Sequence, residues 1–195
     1  MNRNGTLVVF SGPSGSGKGT VLGEAFSVSA TTRRPRPGEA DGVNYWFVTR
    51  ERFEEMIAKG EVLEHTQYNG NYYGSPAGPI REQLAAGRDV ILEIEVDGAM
   101  QVKERFPEAL LIFVMPPSFR ELERRLTGRG TESREEIQGR LAAARQEMAM
   151  APRYDYILVN DDVAGAAGRL AGLIQAGKWV PARCGELLRG FLEEE

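Results

Sequence analysis

Four short apolar runs limit what this chain can fold into: Leu7-Val8-Val9-Phe10, Val90-Ile91-Leu92, Leu110-Leu111-Ile112-Phe113-Val114 and Tyr156-Ile157-Leu158-Val159. None alternates apolar with polar residues. A strand without alternation must be covered on both faces, the condition of a parallel sheet flanked by helices. Helical patterns lie between the runs. Ser118 with Glu121 three residues on predicts a capping box, in which hydroxyl and carboxylate satisfy the first free amides. Ser133 with Glu136 repeats it and opens a helix to about Met150. Gly87 and Gly177 predict helix stops. Strands alternating with helices specify an α/β fold with a parallel sheet.

The stretch from Phe26 to about Gly74 has another character. Tyr45-Trp46-Phe47-Val48 and Val62 to Tyr68 are strand-like and aromatic. Thr49 to Gly60 predicts a helix with a threonine cap and a glycine stop. Asn69-Gly70 predicts a hairpin turn, because both residues tolerate positive φ. These segments predict a small mixed sheet inserted into the parallel core. Pro181 to Glu195 shows a weak helical pattern and is expected to be loosely held.

A chain of 195 residues predicts one domain with a real core. Its hydrophobic share of 42% and charged share of 27% are ordinary for a cytosolic globular protein. The net charge of −4 gives no general electrostatic case for nucleic acid or a membrane, so basic clusters are read as sites. The single cysteine, Cys184, excludes an internal disulfide framework. Met1 to Thr6 has no apolar leader character, and no run approaches the ~18 apolar residues that a membrane span needs. A cytoplasmic location is the expectation. Oligomeric state is left open, a homo-oligomer included.

Gly12-Pro13-Ser14-Gly15-Ser16-Gly17-Lys18 follows a predicted strand and opens a predicted helix, which is the context of a P-loop. Its glycines let backbone amides turn toward phosphate oxygens, and Lys18 adds a full positive charge. The strict motif has Ser or Thr after the lysine. Here Gly19 stands there and Thr20 follows, so the Mg²⁺ ligand is either Thr20 or water.

Further groups match one family. Ser27 to Glu39 (Ser-Val-Ser-Ala-Thr-Thr-Arg-Arg-Pro-Arg-Pro-Gly-Glu), Gly42 to Val48 and Gly70-Asn71-Tyr72-Tyr73-Gly74-Ser75 resemble the guanylate kinases, as do Gly128-Arg129-Gly130-Thr131 and Val159-Asn160-Asp161-Asp162. The resemblance runs from about Gly5 to Gly177. It implies a P-loop NTPase three-layer fold with a parallel central sheet, an inserted α+β acceptor-binding region and a helical lid. The implied parts are a core at 5–26, 82–126 and 150–177, a GMP-binding region at 27–81, a lid at 127–149 and a tail at 178–195. It also implies ATP as phosphoryl donor, Mg²⁺ as cofactor and GMP as acceptor.

The chemistry of the residues agrees with what the resemblance implies. A monophosphate carries about two negative charges near neutral pH. Arg33 and Arg36, on an extended proline-held segment, suit convergence on it, and the family pattern adds the hydroxyls of Tyr45 and Tyr73. Arg34 is expected in solvent. Guanine presents two adjacent N–H donors, which a carboxylate matches. The resemblance gives that role to Glu64, helped by Ser29, Ser75 and a carboxylate of the central strand, Glu95. A site so built rejects AMP, which would leave Glu64 buried and unpaired. The central strand is predicted to end Glu93-Ile94-Glu95-Val96-Asp97, with Glu93 and Glu95 on one side. The family pattern has Asp at the place of Glu95 and Gln at that of Asp97. Glu93 suits Mg²⁺ contact through water.

Arg124, Arg125, Arg129 and Arg140 bracket a glycine-bearing segment, Gly128 to Ser133, that reads as a flap. A flap carrying arginines can close over phosphates and exclude water. The resemblance gives Arg125, Arg129 and Arg140 the neutralisation of the transferring phosphoryl group. Arg124 is expected to be exposed. Asn160 matches a position near the adenine of ATP. His65, the single histidine, reads as structural.

One stretch is strained. Only Gly19 to Phe26 separate Lys18 from Ser27, fewer than the dozen or so residues of a parallel crossover. Either the first helix is short, or an internal stretch is missing with a join near Leu22 to Ala25. The second explanation is preferred, and a Cα gap far above ~3.8 Å is its signature. Three rival functions remain. A non-catalytic binding module of the same fold would typically lose the P-loop. A kinase for another monophosphate would not need Glu64. A GTPase switch would carry an Asn-Lys-x-Asp signature that the chain lacks.

Overall fold

The structure is a computed structural model that describes residues 4–22, 28–128 and 133–193. Its first half runs β1 (Leu7–Ser11), α1 (Lys18–Leu22), β2 (Ala30–Thr31), β3 (Trp46–Phe47), α2 (Arg50–Ala58), β4 (Val62–Tyr68), β5 (Asn71–Pro76) and α3 (Ala77–Ala85). Its second half runs β6 (Val90–Glu93), α4 (Val96–Arg105), β7 (Leu110–Met115), α5 (Phe119–Thr127), α6 (Arg134–Met148), β8 (Tyr156–Val159), α7 (Val163–Gly177) and α8 (Gly185–Glu193).

The four apolar runs pair as predicted, in a parallel sheet of order β6-β1-β7-β8. β1 shows why these strands do not alternate. Leu7 and Val9 join a cluster with Ile80 and Leu84 of α3 and with Ala99 and Val102 of α4. Val8 and Phe10 join another with Val21 of α1 and with Ala166 and Leu170 of α7. Both faces are covered, and each such buried side chain contributes roughly 1.5–3 kcal/mol relative to exposure. The strand predicted to be central, β6, is instead at an edge of this sheet among the described residues.

A second, mixed sheet has the order β3-β2-β5-β4. β2 pairs in parallel with β3 and antiparallel with β5. Asn69 at φ 48° and Gly70 at φ 76° make the two-residue turn between β4 and β5. Thr49 caps α2 by accepting from the Arg52 amide. Phe53 of α2 stacks on Tyr72 at 5.1 Å between centroids. Helix α3 packs on the parallel core through Ala77, Ile80 and Leu84, so the boundary predicted at 81/82 falls within it.

Helices α5 and α6 share a cluster of Phe119, Leu122, Leu126, Leu141 and Ala144, and the Arg145 guanidinium lies 4.2 Å over the Phe119 ring. The capping box at Ser133 is complete, with hydroxyl and Glu136 carboxylate both engaged. At Ser118 only the hydroxyl bond forms, because the Glu121 carboxylate accepts from Arg124 and Arg125 instead. Gly87, at φ 77°, ends α3 as predicted. Gly177 is a different case. It is the last residue of α7, and a Cβ there would lie 2.5 Å from Leu110. Close packing requires that glycine, not a left-handed turn. The tail forms α8, and Arg183 ties the approach to it by donating to the Glu108 and Gly177 carbonyls. Among the described residues no helix is long and apolar enough to cross a membrane.

Candidate active site

The Gly12 to Lys18 loop leaves the buried end of β1 and leads into α1. Gly15 at φ 86° and Gly17 at φ 83° occupy a backbone region that L side chains rarely adopt. Gly15 backs onto Leu122 and Leu126 of α5, and a Cβ at Gly17 would lie 2.4 Å from Asn160 Nδ2. Asn160, at the end of β8, donates its side-chain amide to the Ser16 carbonyl at 2.8 Å and the Gly17 carbonyl at 3.5 Å. Arg125 of α5 donates to the Ser16 carbonyl at 3.4 Å and to the Asn160 carbonyl at 2.9 Å. Asn160 and Arg125, bonded to each other, therefore hold the loop together at the Ser16 carbonyl. The Ser16 hydroxyl is buried and has no hydrogen-bond partner among the described residues. Lys18 folds onto its own loop, donating to the Gly12 carbonyl at 2.6 Å and the Pro13 carbonyl at 3.4 Å. Burial lowers its pKa, and the charges of Glu93, Glu147 and Glu95 oppose that shift.

Beside this loop lies a cavity of about 260 Å³ lined by Gly15, Gly17, Thr20, Arg125, Asn160 and the residues 161–163. A second, of about 190 Å³, is lined by Ser29, Asn44, Tyr45, Ser75 and the end of β6, Glu93 included. The Glu93 carboxylate also faces Gly19, where a Cβ would lie 3.6 Å from it. Glu93 thus borders the second cavity and stands beside the start of α1 that follows the phosphate loop, at the carboxyl end of β6. Burial raises the pKa of Glu93, and Lys18 opposes the rise.

Glu64 stands on β4 where the ladder is irregular. Val62 pairs with Pro76 and His65 with Gly74, leaving Leu63 and Glu64 opposite Ser75 alone. This bulge buries Glu64 to 5% exposure and places its Oε1 2.8 Å from the Ser75 hydroxyl, which donates to it. Burial raises the Glu64 pKa. The Ser75 hydrogen bonds and Arg105 pull it down, and Glu95 pushes it further up.

Arg33 is placed by a bidentate ion pair with Glu39 at 2.8 and 3.0 Å. Its guanidinium lies 5.3 Å from the Tyr45 centroid and 5.7 Å from that of Phe47. Tyr45 meets Tyr73 edge-on at 6.1 Å. The Arg36 amide donates to Glu39 at 2.7 Å. Glu39 is accordingly held down to about 2, first by the Arg33 fork and then by that amide. The structure thus gathers Ser29, Arg33, Arg36, Tyr45, Glu64, Tyr73 and Ser75 on the mixed sheet and its proline-rich loop. Glu39, whose role the sequence did not indicate, holds the Arg33 guanidinium and the Arg36 backbone amide. An arginine and a glutamate six residues apart across two prolines was the available signal.

Two expectations change. β6 ends at Glu93, and Glu95 is the N-cap position of α4, with no side-chain cap bond. Strand alternation therefore does not relate Glu93 to Glu95, because the chain turns into α4 between them. The charge of Glu95 is nonetheless felt at both Lys18 and Glu64. Arg140 lies partly buried on α6. Arg124 is 74% exposed, as expected. Arg129 lies outside the described residues, as do residues 23–25 of the expected join.

For a magnesium ion, no group of three His, Cys, Asp or Glu side chains that could hold a metal occurs among the described residues. Thr20 lines the first cavity and Glu93 the second, and each offers an oxygen of the kind Mg²⁺ takes when it keeps its waters and binds one or two protein oxygens plus phosphate.

The chain matches the family model described as guanylate kinase over residues 4–177. It is 52% identical over 180 residues to a guanylate kinase of Halalkalibacterium halodurans, covering 88% of each chain. It is 48% identical to a guanylate kinase of Clostridioides difficile, covering 99% of this chain and 98% of that one. That alignment spans 201 positions, more than the 195 residues of this chain, so the relative carries residues with no counterpart here. The crystal structure of guanylate kinase from Anaplasma phagocytophilum superposes with a TM-score of 0.73 at 34% identity, over all of this chain and 96% of that one. Sequence, fold and the presence of a phosphate loop together with a cavity lined by Ser29, Tyr45 and Ser75 agree, and this chain belongs to the guanylate kinase family.

Proposed function

We propose that this chain transfers the γ-phosphoryl group of ATP to GMP, giving ADP and GDP, by in-line displacement. The observation that carries this reading is the place of the Glu93 carboxylate, which lines the cavity of Ser29, Tyr45 and Ser75 and also faces Gly19, the residue after Lys18 of the phosphate loop. In it, the amides of Gly12 to Thr20 and the Lys18 ammonium hold the polyphosphate of ATP. The Ser16 hydroxyl, buried without a partner among the described residues, is a donor available to a phosphate oxygen. Lys18 exchanges its loop carbonyls for phosphate. Asn160 keeps the loop in shape and borders the adenosine.

Arg33, Arg36, Tyr45 and Tyr73 hold the GMP phosphate, with Glu39 fixing the Arg33 guanidinium and the Arg36 backbone. Glu64 and Ser75, with Ser29 and Glu95 nearby, take the guanine edge. Thr20 and Glu93, directly or through water, would hold Mg²⁺, which neutralises charge on the transferring group. Arg125, Arg129 and Arg140 share that neutralisation. No general base is required, because the attacking phosphate oxygen is already ionised, and positioning with charge stabilisation suffices. The working parts are the core at 5–26, 82–126 and 150–177, the acceptor region at 27–81 and the lid at 127–149. A cytoplasmic setting belongs to the same reading.

The test is ADP release from ATP with GMP, AMP or UMP as acceptor. GMP should be preferred by about 10⁴-fold in kcat/KM over AMP, the scale set by unpaired buried polar groups. Equal rates with all three would remove the role of Glu64. No ADP with any acceptor would favour a binding module.

A further inference from the structure

Glu64 sits on an edge strand, where among the described residues no further strand pairs with the bulge to fix its shape. Helix α4 supplies what a neighbouring strand would. The Gln101 side-chain amide pairs with the backbone of His65 in both directions. The His65 N–H donates to Gln101 Oε1 at 3.1 Å, and Gln101 Nε2 donates to the His65 carbonyl at 3.0 Å. One turn on, Arg105 donates to the Val62 carbonyl at 2.5 Å. The two contacts bracket the bulge, one on each side of Leu63 and Glu64. One turn back on the same helical face is Gly98, where a Cβ would lie 2.9 Å from Glu64 Oε2. Positions 98, 101 and 105 therefore fit one face of α4 to this bulge.

We infer that Gln101 is a positioning residue for guanine selectivity. Its amide acts as a substitute peptide group that locks the bulge and so aims Glu64, while Gly98 leaves the carboxylate its space. The inference rests on Glu64 reading the guanine edge as proposed above. It assigns selectivity to a helix that itself need not touch the acceptor. A carboxylate that is merely present gains little from the guanine N2 amino group. One held in register accepts from both N1–H and N2–H. GMP against IMP, which lacks the amino group, therefore reads the alignment.

The experiment compares kcat and KM for GMP, IMP and ATP in the native chain and in Gln101→Met, Gly98→Ala and Glu64→Gln. The expected result for Gln101→Met is a roughly tenfold fall in the GMP-to-IMP ratio of kcat/KM, carried by KM for GMP, with KM for ATP unchanged. Gly98→Ala should move the same ratio in the same direction without touching the Gln101 contacts, so the inference stays testable if Gln101→Met folds poorly. A native ratio in both Gln101→Met and Gly98→Ala, or an equal loss for both acceptors, would overturn the inference and leave Glu64 untouched. If Glu64→Gln itself keeps the native ratio, the guanine role of Glu64 fails, and the role of Gln101 fails with it.

Discussion

Glu64 carries a conflict between stability and function. Burial raises its pKa above the ordinary carboxylate value, with the Ser75 hydrogen bonds and Arg105 only partly compensating. A carboxyl group whose folded pKa is raised favours the folded state below its unfolded pKa. It opposes folding increasingly as pH climbs through the folded value. In the proposed role, the ionised form is nonetheless the one that would accept from guanine. Glu64→Gln should therefore raise the melting temperature at pH 8, the gain shrinking as pH falls toward 4, while selectivity for GMP is lost. Thermal melts of both proteins across that range check it. A stability loss at pH 8 would mean that the Ser75 hydroxyl stabilises the anion more than burial opposes it. Lys18 carries the mirror image: burial works against its charge, and three carboxylates sustain it.

Among the elements, α5 and α6 differ in how their starts are secured. Ser133 and Glu136 exchange bonds across the first turn of α6, at 3.2 Å from amide to hydroxyl and 2.7 Å from amide to carboxylate. At α5 the glutamate turns outward to Arg124 and Arg125. Its carboxyl group is held down to about 2 by them. Ser133→Ala should cost about 1 kcal/mol, a drop of roughly 2–4 °C in Tm for a chain of this size. Glu121→Ala should leave the Ser118 cap bond intact and instead weaken activity, since Arg125 loses the partner that aims it at Ser16 and Asn160. Melting curves and kcat on the two variants separate a glutamate-supported cap at α6 from a glutamate at α5 that serves the site instead of its cap.

Across the whole molecule, two sheets present their chemistry to one place. The parallel sheet brings the phosphate loop and Glu93, and the mixed sheet brings the arginine, tyrosine and glutamate set. If the acceptor and lid regions close around both nucleotides by hinge motion, each ligand should favour the closed form that the other needs. A non-hydrolysable ATP analogue and GMP together should then raise Tm by more than the sum of their separate shifts. Strictly additive shifts at matched saturation would count against closure.

Much of this was legible in the chain before folding. The four apolar runs gave the parallel strands because double coverage leaves no alternation to read. Gly12 to Lys18 gave the loop because that spacing of glycines and lysine, between a strand and a helix, suits a phosphate turn. Asn69-Gly70 fixed the hairpin, because few other pairs tolerate two positive φ values. These are local properties, carried by neighbours in sequence. What tertiary structure alone decided are relations between distant segments. Gln101 meets His65 across 36 positions and Asn160 meets Ser16 across 144. Glu95 leaves the strand because α4 starts there, and Gly177 is required by Leu110 rather than by its own turn. No periodicity encodes such contacts, since each depends on where the packed layers bring two backbones together.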